Sequence, residues 1–534
     1  MKISWKKADN RIEVIDNIVL VCLIIFGLFL HCYRLGSLPR GLYVDEMGMA
    51  YDAWSLGHFG VDRYLKSWPV YLTNFGGGQS ILYCYLDIPF ILLGGMTPYM
   101  IRMPALIFSL ITGAGGFFLI KNEKGKRMAL YFLALFCLVP YFTIAGRIAL
   151  DCNLMLRMCV LILLQLSYIL KKDRMTTGRM LLLGVTIGVT FYSYALAYLI
   201  VPVFWGLTVL YLMWCRKIRF KEICIISIPA VVVAIPLVIV QVINIFDLPE
   251  MHLGIFTFTK LIGYRGGELT FGLIKDNLRW LYVSLFKADI TEFDNFMPYS
   301  NLYIISIPLL IIGTFFAIKS SVKSIKEREL SFDTIIVIFV GVICLISLII
   351  TGVTTYRINA ILIGLMYLII LALSNIEGKI KYLNLIIIAV YLVFFINFGR
   401  FYFTEYEYDN FPQRLFAEDM TDALATLEKE AYVTDADVRK PLCVMGVDEG
   451  YVYYLSSLKE SPFEYDVNQY GNNGDGFPDE NGNIDSGRVA FWLPDGISEA
   501  YNYILYCPDE ETLDVLRGME YNITEVEDYT VAYK

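Results

Sequence analysis

The stretch NIVLVCLIIFGLFLHCYRLGSLPRGLYVDEMGMAYDAW, Asn17 to Trp54, joins a long apolar run to two adjacent carboxylates. Residues 17–34 have the length that crosses the hydrocarbon core of a bilayer, and no convincing small-residue cleavage site follows them. We therefore predict a retained signal anchor. Asp45 and Glu46 come soon after it, so the sequence predicts a polar site at a membrane surface.

The whole chain has a membrane composition, because 57% of its 534 residues are hydrophobic, whereas soluble domains contain roughly 45–50% apolar residues. Apolar runs of the length needed to span a bilayer recur along the first 403 residues. They predict a polytopic α-helical membrane protein of about eleven spans, near residues 17–34, 101–120, 128–145, 152–170, 180–194, 196–214, 222–246, 301–318, 333–351, 357–374 and 382–403.

Basic clusters predict the orientation of these spans. With eleven crossings the clusters all fall on one side, which positive charge marks as cytoplasmic. The N-terminus is then cytoplasmic and the protein lies in the plasma membrane. A further apolar segment, residues 80–96, is short and contains Asp87 and Pro89. A crossing there would invert every later cluster, so we predict a re-entrant or interfacial segment on the outer face.

Charge divides the chain into two predicted domains. Residues 404–534 hold 29 acidic and 8 basic side chains, a net charge of -21, which leaves 23 acidic and 36 basic side chains, a net of +13, elsewhere. Residues 1–403 are predicted to be the membrane domain, with a first outer loop at 35–99. Alternating strand-like and helix-like patterns predict that 404–534 is a small extracytoplasmic α/β domain.

The first outer loop also predicts a juxtamembrane helix that begins near Asp45. Met47, Tyr51 and Trp54 recur on one face of such a helix, and that face suits the headgroup plane of a bilayer. A simpler explanation of Asp45 and Glu46 is that acidic residues in a first helical turn are stabilised by the helix dipole.

Further charged residues recur on the predicted outer face. Arg147 and Asp151 are four residues apart in AGRIALDCN and either form an ion pair or contribute to an anion site beside Asp45. Arg357, Arg63 and Lys66 either grip a phosphate or anchor the chain at the interface. Three dispersed histidines do not predict a metal site.

The pair DE in the first outer loop, followed by RIALD in the next, resembles the glycosyltransferase-C superfamily. The likeness is to its protein O-mannosyltransferase and aminoarabinose-transferase branch, which in bacteria is often assigned to glycosyltransferase family 39. The resemblance implies that Asp45 is the catalytic base with Glu46 as its partner. It also implies that Arg147 serves the lipid-phosphate site with Asp151 as its acidic companion. The family's lysine is missing here, where glycines stand in NFGGGQSILY, so Arg147, Arg357, Arg63 or Lys66 would bind the phosphate.

The resemblance implies a membrane glycosyltransferase that moves a sugar from a polyprenyl-phosphate-linked donor to an acceptor hydroxyl on the extracytoplasmic face, with inversion. Some relatives use a divalent metal ion, for which Glu46 and Asp151 could supply oxygens. The acceptor is a protein, a wall polymer or a lipid, and no nucleic-acid partner is expected. Two alternatives stay open: a lipid or polysaccharide transporter or flippase, and a non-catalytic membrane scaffold with an extracellular binding domain.

Overall fold

The computed structural model describes residues 2–171, 174–263, 269–287, 299–377, 379–380, 382–405, 420–431, 440–478 and 487–534, without the side chains of 2–12, 405 and 431. Helices dominate as far as residue 405. They are α1 Lys2–Cys32, α2 Val44–Phe59, α3 Leu82–Gly94, α4 Pro98–Ile101, α5 Met103–Lys124, α6 Lys126–Leu138, α7 Pro140–Ala145, α8 Asp151–Ile169, α9 Thr177–Thr190, α10 Ala197–Trp214, α11 Phe220–Ile245, α12 Ile274–Phe286, α13 Ser306–Glu327, α14 Phe332–Ser347, α15 Thr355–Ile358, α16 Ile361–Ile376 and α17 Leu383–Arg400.

Length and composition make this a multi-pass membrane protein. Among the described residues, seven helical segments are long and apolar enough to cross a bilayer, and four shorter apolar helices accompany them. The centre of the bundle is formed by α6, α8 and α16, whose side chains are almost all buried. The outer helices α1, α11 and α17 expose large apolar side chains instead. Such an exposed apolar surface suits contact with lipid, because lipid tails are as apolar as the side chains.

Basic residues at the junction of α5 and α6 form ion pairs with acidic residues at the ends of other helices. Lys124 at the end of α5 lies 2.7 Å from Asp333 at the start of α14, and Arg127 lies 3.0 Å from Glu377. At the rise of 1.5 Å per residue, α5 places this end about 33 Å from the first loop. These basic residues therefore lie at the opposite end of α5 from the first loop, while the orientation of the chain in the membrane stays a prediction.

One predicted span differs from the observed helices, and one predicted outer-face segment forms a short helix. Residues 128–145 form two helices, α6 and α7, because the chain turns out of α6 at Val139 and begins again at Pro140. Residues 80–96 contain α3, whose 13 residues span only about 20 Å at 1.5 Å per residue. That length is too short for the roughly 30 Å hydrocarbon core, so the re-entrant or interfacial placement stays a prediction.

Three small sheets occur among the described residues. Two hairpins join β1 Leu72–Asn74 to β2 Gly77–Gln79 and β3 Met251–Leu253 to β4 Phe256–Phe258. The C-terminal region contains β5 Leu442–Met445, β6 Val489–Ala490, β7 Asn502–Tyr506, β8 Asn522–Val526 and β9 Tyr529–Tyr533, in the order β6-β5-β7-β9-β8. Its helices are Thr421–Ala431, Gly450–Leu458, Val467–Tyr470 and Glu510–Gly518. The predicted α/β character of the C-terminal domain is therefore confirmed, while its first residues, 406–419, lie outside the described chain.

The C-terminal domain contacts the first loop directly. The Tyr453 hydroxyl donates to the carbonyl oxygen of Leu42 at 2.7 Å, and the Tyr51 hydroxyl donates to that of Glu460 at 2.6 Å. Met47, Tyr51 and Trp54 are consequently buried, so the prediction that they lie in the headgroup plane is wrong. The C-terminal domain and α3 cover the face that would have met lipid.

Candidate functional site

The two carboxylates in the first turn of α2, those of Asp45 and Glu46, face different surroundings. Tyr43 has extended backbone angles just before the helix, and the Glu46 side chain accepts a hydrogen bond from the Tyr43 amide at 3.0 Å. A glutamate at this third helical position caps the otherwise unpaired amides of a helix start. Successive residues are about 100° apart around a helix, so Asp45 and Glu46 have separate environments.

Glu46 belongs to the interior of the protein. Besides the Tyr43 amide, its carboxylate accepts from the Ala149 amide at 2.6 Å and lies 3.4 Å from Nε of Arg102. Both Glu46 and Arg102 are fully buried. These contacts join the first loop to the loop before α8, so the structure gives Glu46 a structural position rather than one facing a substrate.

Asp45 is only half-buried. Its Oδ1 accepts a hydrogen bond from Nδ2 of Asn74 at 2.8 Å. Burial and the neighbouring charge of Asp45 raise the pKa of Tyr43 above its ordinary value. The carboxylates of Asp45 and Asp151 are also near enough to repel each other. A carboxylate that is partly exposed can accept a proton from a bound hydroxyl.

A cavity of about 510 Å³ is lined by Asp151, the carboxylate that Asp45 repels, whereas Asp45 is not among its described lining residues. Most of its wall consists of apolar side chains near the start of α10 and in the second half of α11. Those side chains include Leu196, Leu199, Pro202, Ala234, Leu237, Val238 and Ile245. Such a mostly apolar pocket with few polar groups is typical of a ligand site.

Polar groups from well-separated parts of the chain line the cavity. Ser80, Asp151 and Arg357 line it, and the Ser80 amide donates to Oδ2 of Asp151 at 3.1 Å. Arg357 and Asp151 both act electrostatically on the Tyr194 phenol, which also lines the wall. Nη1 of Arg357 donates to the Thr351 carbonyl oxygen at 2.5 Å, which holds the guanidinium at the wall. Arg357 is the one cationic side chain among the described lining residues.

The hairpin of β1 and β2 connects Asp45 to the cavity. Asn74 ends β1 and binds Asp45, while Gly78 in β2 and Ser80 just after it line the cavity. A Cβ on Gly78 would lie 2.3 Å from Cε1 of Tyr71, so only glycine fits this position. The hairpin therefore lies between the candidate base and the candidate ligand cavity.

Three predicted phosphate-binding residues are placed elsewhere. Arg147 is fully buried and donates to the carbonyl oxygens of Leu30, His31, Tyr33 and Leu38, which fixes the end of α1 to the loop before α8. The alternative ion pair with Asp151 is not formed either. Asp151 accepts instead from two backbone amides, those of Ser80 and Cys152.

Arg63 and Lys66 are likewise engaged within the protein. Arg63 is fully buried against Asp52 and Asn74. The Lys66 ammonium lies 3.0 Å from Glu250 and joins the first loop to the region of β3. Neither residue is part of the described cavity wall. These contacts correct the sequence-based assignment of Arg147, Arg63 and Lys66 to a phosphate site, because none of the three faces the cavity.

The predicted metal ligands do not converge. Within the described ranges, no three side chains of His, Cys, Asp or Glu come together in a way that would hold a metal ion. Glu46 uses its carboxylate for Tyr43, Ala149 and Arg102. Asp151 is occupied by amides, so the residues present do not fit a shared ion between Glu46 and Asp151.

Sequence reasoning missed Asn74, Ser80 and Arg102. Asn74 and Ser80 flank the glycine-rich turn. Asn and Ser are common in turns, so their presence in the sequence does not by itself indicate a functional site. Arg102 stands at the head of a predicted span, which is the same signal that selected Arg357. The C-terminal domain also brings Glu449 near Asp45, and burial raises the pKa of that carboxyl.

Comparison with solved structures shows which known proteins have a similar fold. The crystal structure of ArnT from Cupriavidus metallidurans in the apo state superimposes with a TM-score of 0.53 and 10% identity, covering 98% of this chain and 98% of that chain. The same protein bound to undecaprenyl phosphate matches with a TM-score of 0.53 and 11% identity, covering 96% and 97%. The chain shares its fold with ArnT.

The likeness to ArnT confirms the predicted fold class, a polytopic α-helical membrane protein with a small C-terminal α/β domain, and it extends over nearly the whole chain. No protein-family model matches the sequence, and no curated protein matches it either. At 10–11% identity the ArnT fold alone is shared, so the chemistry of this chain has to be argued from its own site.

Proposed function

We propose that the protein transfers a sugar from a polyprenyl-phosphate-linked donor to an acceptor hydroxyl on the extracytoplasmic face of the plasma membrane. One observation carries this proposal. An apolar cavity between α10 and α11 contains Arg357, and the hairpin of β1 and β2 lies between that cavity and Asp45. The isoprenoid chain of such a donor can pack against the apolar wall, and its phosphate can accept charge-assisted hydrogen bonds from the Arg357 guanidinium.

Arg357 is the proposed phosphate-binding residue. A guanidinium can donate two parallel hydrogen bonds to phosphate oxygens and stays charged at every physiological pH. The leaving group of the reaction is the polyprenyl phosphate, so positive charge at this position stabilises the charge that develops as the bond breaks. The ArnT structure determined with undecaprenyl phosphate supports this choice of donor class.

Asp45 is the proposed catalytic base. The acceptor oxygen attacks the anomeric carbon, the bond from that carbon to the phosphate oxygen breaks with its electron pair, and the acceptor proton passes to Asp45. Attack opposite the leaving group inverts the configuration at the anomeric carbon. The phosphate leaves as an anion that needs no added proton, so one base suffices and no metal ion enters the proposed mechanism.

The proposed function also includes an orientation of the chain in the membrane. The basic ends of α5 and its neighbours would lie in the cytoplasm and the first loop outside. The C-terminal domain, which contacts that loop, would then be extracytoplasmic. Its acidic residue Asp448 acts electrostatically on Tyr43, and its Glu449 interacts electrostatically with both Asp448 and Asp45, which makes this domain the natural contributor to acceptor binding.

The test is transfer of radiolabelled sugar by the purified protein from a panel of polyprenyl-phosphate sugars, with membrane and wall fractions as acceptors. The wild type is compared with Asp45→Asn and with Asp495→Asn, an exposed carboxylate of the C-terminal domain, as control. We expect transfer by the wild type and the control and at least a 100-fold loss in Asp45→Asn. Lipid translocation in liposomes without transfer would instead establish the transporter hypothesis.

A further inference from the structure

The partner of Asp45 comes from the tip of a hairpin. Asn74 is the last residue of β1 and pairs with Gly77 across the turn. Phe75 and Gly76 in that turn both have positive φ angles, 45° and 75°. Asn74 is only 8% exposed, and its Nδ2 donates to Asp45 Oδ1 at 2.8 Å. The hairpin therefore presents one hydrogen-bond donor to the candidate base.

Arg63 determines which end of the Asn74 amide faces Asp45. Nη2 of Arg63 donates to Oδ1 of Asn74. A guanidinium contains only donors, so the amide oxygen must face Arg63 and the NH2 group must face Asp45. The orientation of the Asn74 amide therefore follows from the chemistry of its two neighbours.

Arg63 is itself held on several sides. Nη2 lies 3.4 Å from Oδ2 of Asp52, and the Arg63 amide donates to Oδ1 of the same carboxylate at 3.0 Å. Its guanidinium lies 5.0 Å from the centre of the Phe75 ring. Arg63 and Asp52 are both fully buried. A Cβ on Gly48 would lie 2.5 Å from Nη1 of Arg63, so α2 leaves room for the guanidinium only because residue 48 is glycine.

We propose that Asn74 is a positioning residue for Asp45, and that the buried Asp52–Arg63 pair fixes its orientation. The inference rests on the proposed function, since it assumes that Asp45 is the base. Asn74 directs a donor at one oxygen of the carboxylate and so restricts its rotation. Asn74 does not line the donor cavity, so it acts on the proton transfer rather than on donor binding.

The substitution Asn74→Asp separates positioning from structural support. The new carboxylate still accepts from Arg63, so the buried cation keeps its partner. Towards Asp45, however, the side chain now presents an acceptor with like charge in place of a donor. We expect kcat to fall about 10- to 100-fold, the size expected for a lost hydrogen bond to a charged group. We expect the KM for the donor to change by less than about twofold, because the cavity wall is intact.

Asn468→Asp is the matched control. Nδ2 of Asn468 donates to the carbonyl oxygen of Tyr64 at 3.2 Å, so the control adds the same charge to the same side of the protein next to Arg63. It does not contact Asp45 in the described structure. We expect its kcat and KM to match those of the wild type. Thermal unfolding of all three proteins in the same detergent accompanies the kinetics.

Each outcome decides the assignment. A lower kcat with an unchanged donor KM in Asn74→Asp, and not in the control, supports positioning. Equal kcat in the variant and wild type overturns it. Loss of folded Asn74→Asp protein also overturns it, because the retained bond to Arg63 predicts a stable variant. If the wild type transfers no sugar from any donor of the panel, the proposed function itself fails, and this inference fails with it.

Discussion

The Tyr453 hydroxyl donates to the carbonyl oxygen of Leu42 at 2.7 Å, three residues before Asp45. The bond is buried and joins two parts of the chain that are 411 residues apart. The C-terminal domain therefore supports the backbone that leads into α2. We infer that the domain contributes to the geometry of the site in addition to any contact with an acceptor.

Tyr453→Phe should lower both stability and transfer. Removing one hydroxyl leaves the Leu42 carbonyl oxygen buried without its partner, which costs about 1–3 kcal/mol. Tyr465→Phe is the control, because the Tyr465 hydroxyl bonds to Gly471 within the C-terminal domain at 2.9 Å. Thermal unfolding and transfer rates should show a similar stability loss in both variants but slower transfer only in Tyr453→Phe. Equal rates would remove the domain from the support of the site.

Glu46→Gln should destabilise the protein much more than Asp45→Asn does. Loss of the Glu46 charge leaves the fully buried Arg102 guanidinium without its anion, and breaking a buried pair costs about 3–5 kcal/mol. Asp45 is half-buried, and the ion-pair partners of Arg63 and Arg102 are Asp52 and Glu46. Denaturant or thermal unfolding of both variants checks this expectation. Comparable stability of the two variants would show that Glu46 is not the structural residue that its contacts indicate.

Arg357→Ala should weaken donor binding rather than proton transfer. Charge-assisted hydrogen bonds contribute about 1.5–3 kcal/mol each, so the dissociation constant for undecaprenyl phosphate should rise about 10- to 100-fold. Arg279→Ala removes an exposed arginine of α12 that does not line the cavity and should bind like the wild type. Titration of the purified proteins with the lipid measures both. An unchanged affinity of Arg357→Ala would place the phosphate elsewhere.

The stability of the protein should fall as the pH rises from about 4 to about 7. Burial, assisted by the charge of Asp52, raises the pKa of Asp62 to about 7, and burial raises that of Asp52 to about 6 against the opposing effect of Arg63. An unfolded aspartate has a pKa of about 3.9. The folded state therefore binds more protons in this interval. The contribution of these two protons to the free energy of unfolding is complete below about pH 4, and it is lost as the pH rises through the folded-state pKa values.

The substitution Asp62→Asn isolates the contribution of Asp62 to the pH dependence of stability. The variant keeps an acceptor for the amides of Tyr64 and Lys66, which bind Oδ1 of Asp62, but it cannot ionise. Its melting temperature should decline less between about pH 5 and pH 7.5 than that of the wild type. The exposed Asp495→Asn should keep the wild-type slope. Parallel slopes in all three proteins would contradict the assignment of the pH dependence to this buried carboxyl.

The apolar runs were sufficient to predict the membrane fold, because about 20 apolar residues in a row have one stable environment. The predicted span at 128–145 was wrong in detail, because hydropathy does not report the break before Pro140. The face of α2 was misassigned for another reason. Met47, Tyr51 and Trp54 suit a membrane surface and a protein interface equally well, and only the folded C-terminal domain decides between them.

The site was predicted in part. Asp45 and Arg357 could be selected from charge and position. The structure places Arg357 on the cavity wall and bonds Asp45 to Asn74 of the neighbouring hairpin, while the catalytic and phosphate-binding roles of the two residues stay predictions. Arg147 has the same outward character in the sequence, yet its guanidinium binds backbone carbonyl oxygens. A linear sequence does not show which carbonyl groups a long side chain can reach. Asn74 was not selected because its role depends on Arg63 and Asp45, which meet it only after folding.

The residues that line the donor cavity all come from the first 357 residues of the described chain. The described residues of the C-terminal domain touch α2 and the loop before it but do not line that cavity. Under the proposed function, the parts of the protein that meet the lipid donor and the acceptor can therefore diverge separately. Exchange of the C-terminal domain would then change the acceptor while the donor cavity is inherited intact.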